Sequence, residues 1–519
     1  MKRLFLIVFM AILLVWGGAA QTVRGGRPLS VRKAMPGLQS VAQLPSRQQL
    51  AKSAFGGMAV VADAFAAPIA TNLTPCNSGQ WETIGDTNVW RLAISSPNAF
   101  SLNLLFADFN IPEGARLFLY NADTTVVLGA YTAKDNALVL PTPPVSGDVV
   151  EVEYDEPLNA DFQGFFNIMQ VAHDFKGAFA DEPTPGKCQV GLTDEQKSEW
   201  GNERRAVCRI LVGGTVLCTG TLLATADHSF EPYVLTARHC IYSEKQAQSS
   251  LFFFNYDDYD IPEKQSVAGS SLVAVKDNDD GFLDFALVRL NSAIPDYYDV
   301  YYAGWDVSGA VPCGGVCLHH PQGGTVAIAV DSDSIPVASY RNFDGNTFFN
   351  VAEWDEGATE QGSSGAPLFD ANHRVVGLLS GGDSDCDYPM NDYFQMLSVC
   401  YDHYQFDSLQ LAHWLNPQGL PITAIDGSTG RTTAIGSKAV AAQVSVYPNP
   451  ATTEIRLTAE NESIVAVQLT DLEGRTVMRE RFGSQKNVVL NVGRLPAGVY
   501  VCNVEFASGN AVKRLIIKE

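Results

Sequence analysis

A short glycine-rich stretch offers the first side chain that could do chemistry. TEQGSSGAPLFD begins at Thr359 and places Ser364 in a tight turn ahead of an apolar run. Glycine admits backbone conformations that other residues avoid, and it lets a second segment approach closely. The chemical interpretation is a serine nucleophile held where backbone amide hydrogens converge. A plain hairpin turn is the alternative, because glycine and serine are common in turns.

A histidine with a cysteine beside it ends another apolar run. YVLTARHC places His239 directly before Cys240, and CTGTLL places Cys218 on the preceding predicted strand. A bridge between the two cysteines would fix the backbone beside the imidazole and would stabilise the fold by about 3 kcal/mol. His239 is therefore a candidate general base, with a structural histidine as the alternative.

An aspartate enters the apolar stretch LDFALVRL. A carboxylate at Asp284 is costly to bury unless other groups donate hydrogen bonds to it. An imidazole N–H is a suitable donor, and the other ring nitrogen is then free to take a proton from a serine. Asp277, Asp279 and Asp280 remain alternatives for this role, although they also fit a solvated acidic loop.

The motifs TARHC, LDFALVRL and GSSGAP occur in the order His, Asp, Ser. They resemble the active-site motifs of the chymotrypsin-like serine proteases. The resemblance implies a nucleophile at Ser364, a base at His239 and an orienting carboxylate at Asp284. It also implies an oxyanion hole formed by the amides of Gly362 and Ser364. Ser363 replaces the aspartate that pairs with the new N-terminus in digestive enzymes, so we expect activation by removal of a blocking segment.

Motifs outside this triad resemble the bacterial lysyl endopeptidases over about residues 188–420. These motifs are YYAGWD, LHHPQG, LSGGDSDC and NDYF. The resemblance puts Asp392 at the base of a specificity pocket, where it faces a substrate ammonium, and makes Trp305 a wall of that pocket. Ser380, Gly381 and Gly382 would offer an edge to which the substrate backbone adds as a strand. A surface turn for Asp392 and a plain core position for Trp305 are the alternatives.

The same resemblance implies two disulfides, Cys188–Cys386 and Cys218–Cys240. The trypsin pocket aspartate is absent from its usual place, where this chain has Ala358. Export makes disulfides the expected state of the cysteines. Sequence leaves open the pairing of six of them, which are Cys76, Cys208, Cys313, Cys317, Cys400 and Cys502.

The order of these segments predicts several domains, because 519 residues exceed what one hydrophobic core usually serves. We expect a mainly β chain with a chymotrypsin-like double β-barrel, an N-terminal β-sandwich pro-domain and a C-terminal β-sandwich sorting domain. MKR followed by an apolar run and small residues is typical of a signal peptide. The expected ranges are 1–20 for the signal peptide, 21–187 for the pro-region with its sandwich at about 75–160, 188–425 for the protease domain, 426–443 for a linker and 444–519 for the sorting domain.

Both flanking modules carry resemblances of their own. IPEGARLFLYN resembles the pro-region of the same proteases, and cuts after Lys176 or Lys187 would suit self-processing. VYPNP, TDLEGRTV, LPAGVYVCNV and KRLIIKE resemble the C-terminal sorting domains of the type IX secretion system in Bacteroidetes. This implies the secretion machinery as a partner and export through periplasm and outer membrane to the surface or medium.

The remaining expectations concern what the protein does not bind. A net charge of −22 argues against nucleic acid and anionic membrane surfaces. No apolar segment after the signal is long enough to span a membrane. We expect no cofactor and no metal, because His319 and His320 are adjacent and a third ligand is not evident.

Two structural expectations remain. We expect a monomer, and we expect one C-terminal helix in SLQLAHWLNPQG.

These observations predict a secreted serine endopeptidase that cleaves after basic residues, preferentially lysine, through an acyl-enzyme. A catalytically inactive homologue that acts as a surface adhesin is one alternative, and an exported esterase with the same triad is another. The preference for Lys over Arg, the natural substrates, the processing sites and the fate of the sorting domain stay open.

Overall fold

A computed structural model describes residues 26–33, 41–46, 64–179, 191–256, 265–276, 283–402, 404, 406–430, 444–459, 463–470, 476–506 and 511–518. The expected signal peptide at 1–20 lies outside these ranges. The chain divides into two compact units, 1–430 and 431–519, and the division falls within the expected linker. Within the described ranges, no helix is long and apolar enough to cross a membrane.

The first part of the larger unit is a β-sandwich. Its strands are β1 Val41–Gln43, β2 Ala66–Leu73, β3 Gln80–Ile84, β4 Thr87–Ser95, β5 Ser101–Asn110, β6 Arg116–Tyr120, β7 Val127–Tyr131, β8 Ala137–Pro141, β9 Val145–Ser146, β10 Val149–Pro157 and β11 Phe165–Asp174. One sheet has the order β1-β4-β10-β6-β7 with β3 beside β4, and the other has β2-β11-β5-β8 with β9 beside β5. Aromatic rings around Phe166 fill the space between them. The strands extend beyond the expected limits of 75–160 at both ends.

The second part of this unit is built from two further sheets. The strands of the first are β12 Val207–Val212, β13 Val216–Leu223, β14 Tyr233–Thr236, β15 Leu251–Phe254, β16 Gln265–Ala268, β17 Ser270–Val275 and β18 Ala286–Leu290. Their order is β16-β15-β12-β13-β14-β18-β17, and every neighbouring pair is antiparallel. Nearly every residue of β12 to β15 is buried, which explains their almost continuous apolar sequence.

The second sheet of this part carries the glycine-rich turn. Its strands are β19 Gly304–Asp306, β20 Cys313–His319, β21 Ala327–Ser334, β22 Val337–Ala338, β23 Phe348–Glu353, β24 Pro367–Phe369, β25 Arg374–Gly382, β26 Met390–Met396 and β27 Ala424–Ile425. The order is β21-β20-β24-β25-β26-β23-β22, and β19 adds to β25 and β27. The mainly β architecture with two half-barrel sheets confirms the expected double-barrel fold.

The smaller unit is a separate two-sheet module. Its strands are β28 Val444–Tyr447, β29 Glu454–Ala459, β30 Ile464–Thr470, β31 Thr476–Gln485, β32 Asn487–Asn491, β33 Gly498–Phe506 and β34 Ala511–Lys518. They form sheets of order β28-β29-β32 and β31-β30-β33-β34. Alternating buried residues of β29, β30 and β32 supply much of its core.

Helices are short throughout the described part of the chain. The α-helices are α1 Leu29–Lys33, α2 Asp194–Glu199, α3 Glu244–Gln248, α4 Leu397–Asp402 and α5 Ala412–Leu415. The 3₁₀-helices are Ala133–Asp135, Glu203–Arg205, Asp296–Tyr298, Pro321–Gly323 and Asp407–Leu409. The helix expected in SLQLAHWLNPQG is therefore only α5, preceded by a 3₁₀ turn.

Candidate active site

Strand pairing brings His239 and Asp284 to one edge of the first sheet. β14 ends at Thr236 and β18 begins at Ala286, and these two residues are antiparallel partners. The residues that follow β14 and precede β18 therefore emerge side by side. His239 Nδ1 lies 2.8 Å from Asp284 Oδ2, and the His239 backbone N–H donates to Oδ1 over 3.0 Å. The carboxylate thus fixes both the backbone and the ring of the histidine.

Asp284 is held as a buried carboxylate. Its side chain has almost no solvent exposure, and its own backbone N–H donates to Gln395 Oε1 over 2.9 Å. Burial is the largest influence and raises the pKa of Asp284. The charge of His239 and the hydrogen bonds from its ring and backbone outweigh it, so the pKa lies below its usual value. Asp284 therefore stays ionised at neutral pH and can stabilise an imidazolium.

The Ser364 loop joins β23 to β24 and contacts the first sheet. The backbone N–H of Thr219, in β13, donates to the Ser364 carbonyl over 2.9 Å, and Thr219 Oγ1 donates to the Gly362 carbonyl over 2.9 Å. The Ser364 carbonyl oxygen also lies 3.7 Å from Cys240 Sγ, in the residue next to His239. Cys240 is disulfide-bonded to Cys218. These contacts hold the serine-bearing loop against the backbone that carries the histidine.

Two glycines of this loop are required by close approach. Gly365 has φ +85°, and a Cβ there would collide with the Thr219 carbonyl and the Thr236 hydroxyl. Gly362 has φ +92°, and a Cβ there would lie 2.9 Å from the His320 carbonyl oxygen. Other residues rarely adopt these φ values. The pattern GSSG therefore reflects the packing of the loop between two sheets.

The backbone N–H groups of the loop differ in whether they donate a hydrogen bond to another described residue. Ser363 N–H donates to the Glu360 carbonyl over 3.0 Å, and Gly365 N–H donates to the Leu379 carbonyl over 2.8 Å. Within the ranges that the structure describes, Gly362 and Ser364 donate no backbone hydrogen bond. The two N–H groups at these positions can donate hydrogen bonds to a negatively charged oxygen of a ligand.

Ser363 has a buried neutral partner. Its hydroxyl lies 2.7 Å from His319 Nδ1 and accepts the Glu360 backbone N–H over 3.2 Å. Both Ser363 and His319 are completely buried, and burial lowers the pKa of His319 to about 3. The imidazole is neutral at neutral pH, so the contact between Ser363 Oγ and His319 Nδ1 is a hydrogen bond between two neutral groups.

Asp392 lies in a buried polar cluster on β26. Its Oδ2 accepts the Trp354 indole N–H over 2.6 Å and the Thr359 hydroxyl over 2.7 Å. Burial raises the pKa of Asp392 to about 6, although hydrogen bonds from Thr359, Trp354 and Ser384 lower it. Gly382 is its partner on β25, and a Cβ at Gly382 would collide with Asp392 itself.

The predicted backbone edge forms the end of the same strand. Ser380, Gly381 and Gly382 are the last three residues of β25, and a register shift interrupts pairing with β26 before Gly381. Gly381 has φ +132°. The Ser380 hydroxyl helps to lower the pKa of the Asp284 carboxyl. β25 therefore connects the Asp284 side of the site to the Asp392 side.

Trp305 lies at the core position that the sequence left as an alternative. It is completely buried, its indole N–H donates to the Ala224 carbonyl over 2.8 Å, and its ring packs against Tyr401. Its strand partner on β25 is Val375, at the opposite end of that strand from Gly382. The structure therefore places Trp305 in the core, on the short strand β19, which pairs with both β25 and β27.

The cysteines divide into bonded and free groups. Cys386 is disulfide-bonded, and Cys188 lies outside the described residues, so the Cys188–Cys386 pair stays a prediction. The expectation that exported cysteines pair is wrong for five described thiols, which are free: Cys76, Cys208, Cys313, Cys317 and Cys400. The alternative acids Asp277, Asp279 and Asp280 also lie outside the described ranges.

Sequence reasoning missed three residues that support the two carboxylates. Trp354 and Thr359 bind Asp392, and Gln395 binds the backbone of Asp284. Thr359 and Gln395 border the motifs GSSGAP and NDYF, so their positions carried a signal. Trp354 carried none, because it reaches Asp392 only through the pairing of β23 with β26.

Comparisons with known proteins agree with this architecture. Residues 184–395 match the family described as lysyl endopeptidase, C-terminal domain, and residues 445–518 match the secretion system C-terminal sorting domain. A lysyl endopeptidase from Pseudomonas aeruginosa is 28% identical over 293 residues, which cover 50% of this chain and 61% of that relative. An endo-acting ulvan lyase from Formosa agariphila is 29% identical over 181 residues, which cover 29% of this chain and 35% of that protein.

Two solved structures are also similar to part of the chain. An inactive serine-to-alanine mutant of Rv3671c from M. tuberculosis H37Rv covers 38% of this chain and 83% of its own, with 16% identity and a TM-score of 0.27. A Glu endopeptidase in complex with MPD covers 37% of this chain and 85% of its own, with 18% identity and a TM-score of 0.25.

The two family matches fall on different parts of the chain. The first coincides with the two sheets around Ser364, and the second coincides with β28 to β34. A sorting domain of this kind marks a protein for export, so the chain is secreted or attached to the cell surface. The chain thus resembles the lysyl endopeptidases over residues 184–395 and carries a secretion system C-terminal sorting domain at residues 445–518.

Proposed function

We propose that the protein is a secreted serine endopeptidase that cleaves polypeptides after basic residues, preferentially lysine. The observation that carries the proposal is the 2.8 Å contact between His239 Nδ1 and the buried carboxylate of Asp284 beside the Ser364 loop. A carboxylate in this position fixes the tautomer that leaves Nε2 free to accept a proton. The similarity of residues 184–395 to lysyl endopeptidases supports the same reaction class.

In the acylation step, Ser364 Oγ attacks the scissile carbonyl carbon and His239 Nε2 takes the serine proton. Asp284 stabilises the imidazolium that forms. The amides of Gly362 and Ser364 stabilise the oxyanion, and each donor contributes about 3 kcal/mol. The imidazolium then gives its proton to the leaving amine, the C–N bond breaks, and an ester of Ser364 remains.

In the deacylation step, water attacks the ester carbonyl while His239 takes a proton from the water. The same oxyanion hole stabilises the second tetrahedral intermediate. The C–O bond to Ser364 breaks, His239 returns the proton to Ser364 Oγ, and the new carboxyl terminus leaves. The enzyme thus returns to its starting protonation state.

Preference for lysine follows from Asp392. Its carboxylate can face a substrate ammonium, and the hydrogen bonds of Trp354 and Thr359 hold it in one orientation. The end of β25 at Ser380–Gly382 would pair with the substrate backbone as an added strand. Both features support a pocket that accepts an extended polypeptide with a cationic side chain before the cut bond.

The test combines active-site labelling with product analysis. Ser364→Ala should abolish labelling by a fluorophosphonate, whereas Ser308→Ala, at an exposed serine of the same domain, should keep it. The wild-type enzyme incubated with a mixed proteome should produce new C-termini that end in lysine. Labelling that persists in Ser364→Ala would identify another serine as the nucleophile. Hydrolysis of simple esters without hydrolysis of polypeptides would select the esterase, and ligand binding without any labelling would select the adhesin.

A further inference from the structure

The N-terminal β-sandwich contacts one β-hairpin turn of the protease domain. This turn joins β12 to β13. Three hydrogen bonds reach it from separate parts of the sandwich, which means that the contact does not depend on a single linking segment. They are Phe65 N–H to the Thr215 carbonyl at 3.0 Å, Asn103 Nδ2 to the Gly214 carbonyl at 2.9 Å and Gln170 Nε2 to the Gly213 carbonyl at 2.8 Å.

A buried arginine of β12 provides the second part of the contact. Arg209 is completely buried, and its Nη2 donates to the Ala178 carbonyl over 3.0 Å. Its guanidinium carbon lies 3.7 Å from the ring centroid of Phe179 and 4.7 Å from that of Tyr256. A buried cation needs such acceptors and ring faces, because leaving water is costly. Two of these partners, Ala178 and Phe179, lie at the end of the N-terminal region.

Apolar side chains close the contact between these polar groups. One buried cluster contains residues of both parts of the chain. From the N-terminal region it includes Phe65, Ala66, Ala172, Ala178 and Phe179, and from the protease domain it includes Leu211, Leu217, Leu251 and Phe253. The contact therefore has an apolar centre with directional hydrogen bonds around it, as stable protein interfaces do.

We propose that this surface of the protease domain is a docking site for the chain's own N-terminal β-sandwich, which stays bound as a separate chain after the connector that follows Phe179 is cut. The inference rests on the proposed function in one respect, which is that the protein's own protease activity would make the natural cut after Lys187. A cut after Lys176 would instead leave Ala178 and Phe179 on the protease side. The sandwich would then lose its partner at Arg209.

The direct test uses the full chain in a Ser364→Ala background. A recognition sequence for an unrelated site-specific protease is inserted between residues 180 and 187, so that cleavage does not require the protein's own activity. After cleavage, the two pieces should co-elute in size-exclusion chromatography and should separate only in denaturant. Separate elution in native buffer would overturn the inference, whatever the outcome for the proposed protease activity.

A steric variant on the protease side tests the hairpin contact. Gly214 has φ +76°, and a Cβ there would collide with the Asn103 side chain of the sandwich. Gly213 has φ +57°, but a Cβ there would meet only Ser249 Oγ at 3.9 Å. After cleavage, Gly214→Ala should therefore weaken the complex at least about tenfold in a dilution series, and Gly213→Ala should weaken it far less. Equal effects of the two variants would contradict the proposed contact.

A ring variant on the sandwich side tests the arginine contact independently. Phe179→Leu keeps an apolar side chain but removes the ring face over Arg209, whereas Phe179→Tyr keeps the ring. The first change should weaken the cleaved complex about tenfold, and the second should leave its stability near wild type. A Leu variant that binds as tightly as the Tyr variant would show that the arginine contact does not hold the pieces together.

Discussion

Trp354 donates its indole N–H to Asp392 Oδ2 over 2.6 Å, and both side chains are buried, Trp354 directly after β23 and Asp392 on the neighbouring strand β26. The Thr359 hydroxyl approaches the same oxygen. These two donors oppose the effect of burial on the pKa of Asp392. In the proposed enzyme, Trp354 is therefore a positioning residue for the charge that selects the substrate.

Removing the indole donor should change the pH at which selectivity is lost. Trp354→Phe keeps an aromatic ring but leaves one hydrogen bond of Asp392 unmade, so the pKa of Asp392 should rise further. The loss of lysine preference should then begin at a higher pH than in the wild type. The measurement is the ratio of kcat/KM for lysyl over glutaminyl substrates against pH. Trp414→Phe, which removes an indole bond to the Asp407 carbonyl, is the control and should leave the profile unchanged.

Neutralising Asp392 should remove the preference for basic residues. Asp392→Asn leaves the ammonium of a bound lysine without its buried partner, a loss of about 3–5 kcal/mol. The lysyl-to-glutaminyl ratio of kcat/KM should fall by about 10²- to 10⁴-fold. Asp383→Asn changes a nearby exposed carboxylate and should have little effect. An unchanged ratio in Asp392→Asn would refute the pocket assignment.

The wild-type ratio should itself depend on pH. Because the pKa of Asp392 is raised from 3.8 to about 6, the carboxyl gains a proton as the pH falls through about 6. Lysine selectivity should therefore decline between pH 7 and pH 5. A titration that affects both substrates equally cancels when the two rate constants are divided. A ratio that stays constant to pH 5 would contradict the assignment.

The raised pKa of Asp392 also affects stability. Between about pH 4 and 6 the folded state binds more protons than the unfolded state, so Asp392 lowers the free energy of unfolding as pH rises through that window.

Replacing the orienting carboxylate should reduce turnover without removing the nucleophile. Asp284→Asn should lower kcat by about 10⁴-fold, because the amide favours the wrong tautomer of His239. The fold should persist, and thermal unfolding checks this. Asp387→Asn, at an exposed site, serves as the control. A small loss in Asp284→Asn would transfer the role to Asp277, Asp279 or Asp280.

The neutral contact between His319 and Ser363 should govern the geometry of the oxyanion loop. His319→Asn retains a hydrogen-bonding group near the position of Nδ1. His319→Leu leaves the buried Ser363 hydroxyl without that partner. An unsatisfied buried group costs about 1–3 kcal/mol, so the Leu variant should lower kcat about ten- to hundredfold with little change in KM. The Asn variant should recover most of that loss. Equal kcat values in the two variants would show that the hydrogen bond is not what positions the loop.

The sequence was sufficient for features that depend on local pattern. Alternating apolar strands predicted the β-rich modules, and GSSG predicted a turn with unusual backbone angles, which the structure has at Gly362 and Gly365. Cys218 and Cys240 could be paired because they flank neighbouring strands near a candidate histidine. Local propensity also misled, since the helical spacing in SLQLAHWLNPQG produced only α5.

Tertiary structure decided which distant side chains share an environment. Trp305 and Trp354 are both large aromatic residues in or directly beside strands, and their local sequences do not tell which one reaches Asp392. That depends on strand order, because β23 pairs with β26 beside Asp392, whereas β19 pairs with the far end of β25. Contacts such as Arg209 with Phe179 likewise arise only when two domains pack together. The sequence by itself determined the reactive residue types and the strands that carry them. Packing between sheets decided the partners and the pKa values of these residues, because their burial and hydrogen bonds come from residues far apart in the chain.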